Sequence, residues 1–260
     1  MEFQNILYEK KEGILYLTLN RPDVRNALSP AMWNDLNNAI NLARTDENIH
    51  VLIITGAGDK AFASGADIQE LHDRYYMEQM KGTATQALKN LEDLYKPVIC
   101  AINGYALGGG CELASACDIR IATKRSMFGQ PEVGLGLIPG AGGTQRLTRI
   151  VGVAKAKELI FTGKIITATE AEKIGFINEL AEDSREALIA IATNMAKQIL
   201  RRGPVAVSMA KIAINFGKDA SMETGLMLER LAQTIALSTE DRKEGTNAFL
   251  EKRHPIFQGR

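Results

Sequence analysis

Cysteine is scarce in this chain of 260 residues: Cys100, Cys111 and Cys117 are its only thiols, and none belongs to a C-x-x-C pair. No histidine is spaced to complete a zinc knuckle with them, so neither a disulfide-stapled scaffold nor a structural zinc site is expected, and reduced intracellular thiols are. Long apolar runs are missing too. Nothing approaches the roughly 18 apolar residues that cross a bilayer, and the opening MEFQNILYEKKEG lacks the apolar centre of a secretory leader. A cytoplasmic protein away from membranes is the expectation. Charge of one sign is also lacking, because 31 Lys and Arg balance 31 Asp and Glu. Without a global positive field, nucleic acid is not expected as a partner. Only three histidines occur, and H-E-x-x-H, G-x-S-x-G and G-x-x-x-x-G-K-[ST] are all absent. Zinc-hydrolase, Ser-His-triad and P-loop chemistries fall away with them.

What is present is an ordinary globular composition, 45% hydrophobic and 24% charged, in a length that suits one large domain or one domain with an appendage. The alternation in GILYLTLN (13–20) reads as a strand with one wet face. Ser29-Pro30 reads as a cap and first position of a helix carrying Met32, Leu36, Ile40 and Leu42 up to Arg44. VLIIT (51–55), KPVICAI (96–102) and CDIRIA (117–122) are short, apolar and rich in β-branched residues, the character of strands covered on both faces. A helical stretch over 68–95 lies between two of them, so strands alternate with helices in an α/β architecture. Beyond about Ala181 the pattern is helical. Leu188, Ile191, Met195 and Ile199 form one stripe, Gly203-Pro204, Gly217 and Ser221 punctuate two more helices, and Thr239 begins the last. The expected division is an α/β core over 1–200 with a helical region packed on it over 201–260.

Glycine carries the chemical interest. Gly56-Ala57-Gly58 after VLIIT imitates a dinucleotide loop, but FASGAD follows where a helix should open, and a plain turn is the preferred reading. In NGYALGGGCELASA (103–116), Gly108, Gly109 and Gly110 precede an apolar helix, placing unhindered backbone N–H groups at its positive end, where an anion is stabilised. Glu112 falls in the first turn of that helix among Cys111, Leu113 and Ala114. It reads equally as a cap for backbone donors and as a catalytic acid. In FGQPEVGLGLIPGAGGTQRL (128–147), Glu132 sits in a glycine-rich apolar loop where burial would raise its pKa; a loop carboxylate bound to nearby N–H groups is the alternative. The two acids together could divide general-acid and general-base work on one water. AFASGADI (61–68) offers a close backbone approach at Gly65-Ala66, although a tight turn with Asp67 capping the next helix is the preferred reading.

These motifs, together with RPDVRNAL near the start, FTGKIITATEAEKIGFIN (161–178) and the ending FLEKRHPIFQGR, resemble the enoyl-CoA hydratase (crotonase) family over nearly the whole chain. The resemblance implies a spiral of ββα units followed by a helical trimerisation region, with a homotrimer or a hexamer built from two trimers. It also implies an acyl-CoA thioester substrate and no metal or redox cofactor, coenzyme A being part of the substrate. Carried over by position, Ala66 and Gly109 supply the oxyanion-hole N–H groups and Glu112 and Glu132 are the catalytic glutamates. Ala66, Asp67, Ile68 and Gln69 line the adenine and pantetheine path, Arg25 lies near the nucleotide phosphates, and Phe249 and Lys252 reach a neighbouring subunit's CoA. The presence of both acids favours a hydratase over an isomerase, many of which keep only the PE-type glutamate. Some relatives bind RNA through a basic helix, but the nearest candidate, AKAKELI (154–160), holds only Lys155 and Lys157, offset by Glu158, and reads as a solvated face. The Tyr75-Tyr76-Met77 stretch is expected to form part of the acyl-pocket wall.

Overall fold

Residues 3–72 and 80–260 are described by the structure, a computed structural model. The chain opens with a hairpin of β1 (Ile6–Lys11) and β2 (Ile14–Leu19), turned at Glu12 and Gly13, whose φ values of 51° and 78° suit a two-residue connection. Next to β2 lies β3 (Val51–Gly56), followed in space by β5 (Val98–Ile102), β7 (Ile119–Thr123) and β10 (Glu179–Ala181), all parallel. A second sheet of four short strands orders β4 (Ala61–Ala63), β6 (Tyr105–Leu107), β8 (Met127–Gly129) and β9 (Ile166–Thr167).

The chain visits the two sheets in turn. Each long strand of the first sheet, β3, β5 and β7, is followed by a short strand of the second, β4, β6 and β8, before a helix returns it. This is the ββα spiral that the resemblance implies. Its parallel strands are apolar on both faces because helices cover both. Val51 and Ile53 of β3, with Ile99 and Ala101 of β5, pack on Leu188, Ala192 and Ala196 of α8 (Arg185–Leu200). The alternate residues Leu52, Ile54, Cys100 and Ile102 face the main core with α1 (Pro30–Thr45), α3 (Thr83–Glu92) and α4 (Gly109–Ala116).

Several sequence expectations shift by physical cause. Strand β2 has no wet face: Thr18 is buried, and the Tyr16 hydroxyl is bonded to Thr193 Oγ1 of α8 at 3.0 Å. The polar alternation thus reflects a strand flanked by neighbours and covered by a helix. In α1, Ser29 caps Met32 N as expected, but Leu42 is exposed and Trp33, Ala39 and Ala43 complete the buried face. Cys117 and Asp118 precede β7; Asp118 Oδ2 accepts the Val98 N–H. The 68–95 stretch contains α2 (Ile68–His72) and α3, with 73–79 outside the described residues.

Helices α5 (Gly143–Val151), α6 (Val153–Thr162) and α7 (Ala168–Lys173) complete the core side. At the C-terminal end, α9 (Pro204–Gly217) packs against α10 (Met222–Leu237), and α11 (Glu240–Leu250) closes the chain. The buried Lys211 of α9 bonds Asp118 Oδ2 at 2.7 Å and the Lys96 carbonyl, tying α9 to the sheet. Apolar residues on this end, including Leu226, Met227, Leu231 and Ile235 of α10, remain exposed.

Candidate active site

The N-terminus of α4 is where the two sheets and the following loop meet. Gly110 needs its missing side chain there, since a Cβ would stand 2.2 Å from the Ala63 carbonyl oxygen of β4. That contact presses the first turn of α4 against the segment leading into Gly65 and Ala66. A Cβ on Gly109 would lie 3.9 Å from Ala66 N, and one on Gly65 would lie 3.8 Å from Gly109 N. The two backbone nitrogens are therefore neighbours at the positive end of a buried helix. No acceptor among the described residues takes up either N–H. The Gly65 carbonyl in turn accepts from Leu28 N at 2.8 Å, and the Arg25 carbonyl accepts from Ser64 N at 3.1 Å, so the 21–28 loop supports this segment from behind.

Glu112, one turn into α4, is 3% exposed. One of its oxygens, Oε1, accepts the N–H of Ala141 at 2.7 Å and of Gly143 at 2.8 Å, where α5 begins. Burial raises its pKa, while those two donors and the Arg146 charge oppose the rise. The capping reading of Glu112 thus holds with different partners: it takes its backbone donors from Ala141 and from the first residue of α5, with one oxygen.

Glu132 lies in a 3-10 helix, Pro131–Leu135, held after β8. Its Oε1 comes within 2.9 Å of the place a Cβ would occupy on Gly108, whose backbone (φ 50°, ψ −121°) immediately precedes α4. The fully buried Gln130 faces Glu132 with its side-chain amide, which donates to Oε1 and Oε2 at 3.0 and 3.2 Å when its nitrogen is turned to that side. Burial, reinforced by the nearby negative charge of Glu112, pushes the Glu132 carboxyl up to about 7. The two acids thus stand near enough for one to feel the other's charge, Glu132 against Gly108 and Glu112 in the first turn of the helix that follows it.

The remaining sequence candidates spread outward. Arg25 is exposed at a φ of 54°, and Asp67 pairs with Arg21 at 3.4 Å beside Ala66. Ile68 and Gln69 are exposed on α2. Phe249, 82% exposed at the end of α11, and Lys252 just beyond it stand apart from the Glu112–Glu132 centre, on the C-terminal end of the chain. The proposed acyl-pocket stretch Tyr75-Tyr76-Met77 lies outside the described residues. On α6, Lys155 is paired with Glu158 at 2.5 Å, as a solvated face would have it.

Sequence reasoning missed Gln130, the Ala141 and Gly143 amides and the Arg146 side chain. The first sits two residues from Glu132 and the others belong to the same quoted GAGGTQR run, so that run was the available signal. Among the described residues no cluster of three or more His, Cys, Asp or Glu could hold a metal, and no helix is long and apolar enough to cross a membrane. A cavity of about 320 Å³ lies away from this centre, lined by Arg44, Glu92, Lys211 and Phe216 among others. Its basic groups are already committed, Arg44 to the carbonyls of Asn90 and Asp93 and Lys211 to Asp118.

The sequence model of the Enoyl-CoA hydratase/isomerase family matches residues 9–260. A short-chain-enoyl-CoA hydratase of Clostridium acetobutylicum is 45% identical over 97% of both chains. A 2,3-dehydroadipyl-CoA hydratase of Escherichia coli is 40% identical over 98% of this chain and 99% of its own. The crystal structure of an enoyl-CoA hydratase from Bacillus anthracis superposes with a TM-score of 0.95 at 41% identity, covering 99% of this chain and all of the other.

Proposed function

Because the chain belongs to the enoyl-CoA hydratase/isomerase family, we propose that it adds water reversibly across the 2,3 double bond of an α,β-unsaturated acyl-CoA, giving a 3-hydroxyacyl-CoA. The observation that carries this reading is the convergence of Glu112 and Glu132 beside the free N–H groups of Ala66 and Gly109. Attack of water at C3 moves negative charge onto the thioester oxygen. Two backbone donors already aimed at that oxygen need no reorganisation as the charge appears. They form the oxyanion hole of this reading.

The environments of the acids divide their roles. Glu112 keeps Oε1 occupied by two N–H groups, which favours the carboxylate, and leaves Oε2 to accept a proton from water. Glu132, lifted to about 7, still holds a proton near neutrality and delivers it to C2. The proton taken by Glu112 and the one given by Glu132 balance the addition, so no metal or redox group is called for. Each well-placed acid or base contributes on the order of 100 to 10,000-fold.

Arg25, Asp67, Ile68 and Gln69 would flank the CoA moiety on the Ala66 side. Phe249 and Lys252 would meet it from a neighbouring copy. The exposed apolar residues of α9 and α10 support an assembly, a homotrimer or a pair of trimers, in which that reach is possible. A cytoplasmic location and a place in fatty-acid metabolism complete the reading.

The purified protein should consume crotonyl-CoA without any added cofactor and form 3-hydroxybutyryl-CoA, with Glu112→Gln and Glu132→Gln each folded and each losing most of the activity. Formation of a double-bond isomer with no hydrated product would make it an isomerase. Normal turnover by both variants would overturn the assigned roles.

A further inference from the structure

We infer that Arg146, clamped by Glu92, is the positioning residue for Glu112: it fixes the Ala141–Gly143 turn whose two N–H groups hold Oε1 of that acid. The inference rests on the hydratase reading for what Glu112 does, but not for how Glu112 is held.

The contacts form one continuous path. Glu92, the last residue of α3, takes Arg146 Nε and Nη2 in a bidentate pair at 2.9 and 2.8 Å. The same guanidinium donates Nη1 to the Ala141 carbonyl at 2.7 Å, and the Ala141 N–H donates to Glu112 Oε1 at 2.7 Å. Residue 141 is thus gripped at its carbonyl by Arg146 and engages Glu112 through its nitrogen. Arg146 also belongs to α5, whose first N–H, at Gly143, is the second donor to Glu112. One side chain therefore fixes the turn at its carbonyl, while its own helix carries the other donor.

Two observations mark this as a built arrangement. Gly142 has a φ of 105°, and a Cβ there would stand 2.1 Å from Arg146 Nη1, so the guanidinium occupies the space that glycine leaves. The Arg146 side chain is only 12% exposed, and a planar guanidinium can satisfy one carboxylate through two donors while a third reaches a carbonyl. Lysine, with a point charge, cannot copy that fork.

The consequence is specific. Glu112 must present Oε2 to water in one orientation, and a displacement of about 1 Å at a reacting group costs on the order of 100-fold. On the hydratase reading the CoA moiety lies on the Ala66 side, with which Arg146 makes no hydrogen bond. The charged and titratable groups around Glu112 are Arg146 on α5, Glu132 beyond Gly108 and the neighbouring Cys111 thiol, with Glu92 behind Arg146.

The experiment uses Arg146→Gln and Arg146→Lys in the full-length protein, alone and combined with Glu112→Gln. Hydration of crotonyl-CoA by Arg146→Gln should lose about 10 to 100-fold in kcat with KM within about three-fold, and Arg146→Lys should recover only part of it. In the Glu112→Gln background, removing Arg146 should cost less than about two-fold further, since positioning an absent acid gains nothing. Independently of activity, 13C NMR titration of the Glu112 carboxyl, assigned by its loss in Glu112→Gln, should show an upward shift in Arg146→Gln. The proposal is overturned if Glu112 titrates alike in both proteins, or if Arg146→Gln costs the same with and without Glu112. A chain that hydrates nothing but still shows the titration shift would sink the hydratase reading and leave the brace standing. Should Arg146→Gln fail to fold, Glu92→Gln, which frees one side of the clamp, takes its place in the same comparisons.

Discussion

Glu132 rests its Oε1 in the space above Gly108, 2.9 Å from where a Cβ would stand. The contact places a half-buried acid against the residue that immediately precedes α4, the helix whose first N–H is proposed for the oxyanion hole. Gly108→Ala meets two obstacles at once, the carboxylate and a backbone with φ 50° and ψ −121° that an L side chain resists. The substitution should cost about 1 to 3 kcal/mol of stability. It should also lower kcat for crotonyl-CoA by on the order of 100-fold, because Glu132 is displaced. Thermal melts and steady-state kinetics on the one variant check both; an alanine protein with unchanged kcat would mean that Glu132 is not held by this contact.

The pKa of Glu132, about 7 in the folded chain against roughly 4.3 for an unfolded glutamate, links stability to pH. Between those values the folded protein keeps a proton that the unfolded chain has released. Stability therefore falls as pH rises through this window and levels off above it. Glu132→Gln removes the dependence, so its stability relative to the parent should rise from pH 5 to pH 8. The gain should be about 1 kcal/mol, because Glu132 is partly solvated and its cost is screened. Denaturant titrations of both proteins at the two pH values test it. The hydration rate should decline above about 7 as Glu132, the proposed donor of the C2 proton, ionises.

The burial of Glu112 and Glu132 was legible in the sequence because each acid stands alone among apolar or glycine-rich neighbours, whereas Ala66 and Gly109 were paired only through the family resemblance. The buried strands around Val51–Gly56 and Val98–Ile102 were legible because β-branched residues ran together. The covered second face of β2 was not, since Tyr16 meets Thr193 across 177 positions of chain. The Glu92–Arg146 pair, 54 residues apart, and the Gln130 amide on Glu132 carry no periodic mark either. Contacts made across elements leave polar residues looking like surface until the fold brings their partners.

The three thiols give a test of the core. Cys100, Cys111 and Cys117 are all buried, and burial pushes the Cys100 and Cys111 thiols well above their ordinary value. A thiol that is neither exposed nor ionised is a poor nucleophile. In the native protein none should react with an aromatic disulfide reagent on the scale of minutes, and all three should react after unfolding in guanidinium. Rapid labelling of Cys111 in the folded chain would show that α4, which carries it, opens locally.

The amides of Ala66 and Gly109, the proposed oxyanion hole, cannot be removed directly by side-chain replacement, but Gly65 gives a handle on them. Its φ is 101°, and a Cβ would stand 3.0 Å from the Leu107 carbonyl oxygen and 3.8 Å from Gly109 N. Gly65→Ala therefore has to tilt the peptide that carries the Ala66 N–H, or move the start of α4. Either change spoils the convergence of the two donors on one oxygen. Loss of one such donor costs on the order of 100 to 1,000-fold in kcat, because the bond it makes is strongest when the oxygen carries charge. The ground-state thioester, with a neutral carbonyl, should bind with KM changed by no more than about three-fold. An equal loss in kcat and in substrate affinity would instead mean that the two nitrogens serve only to bind the thioester.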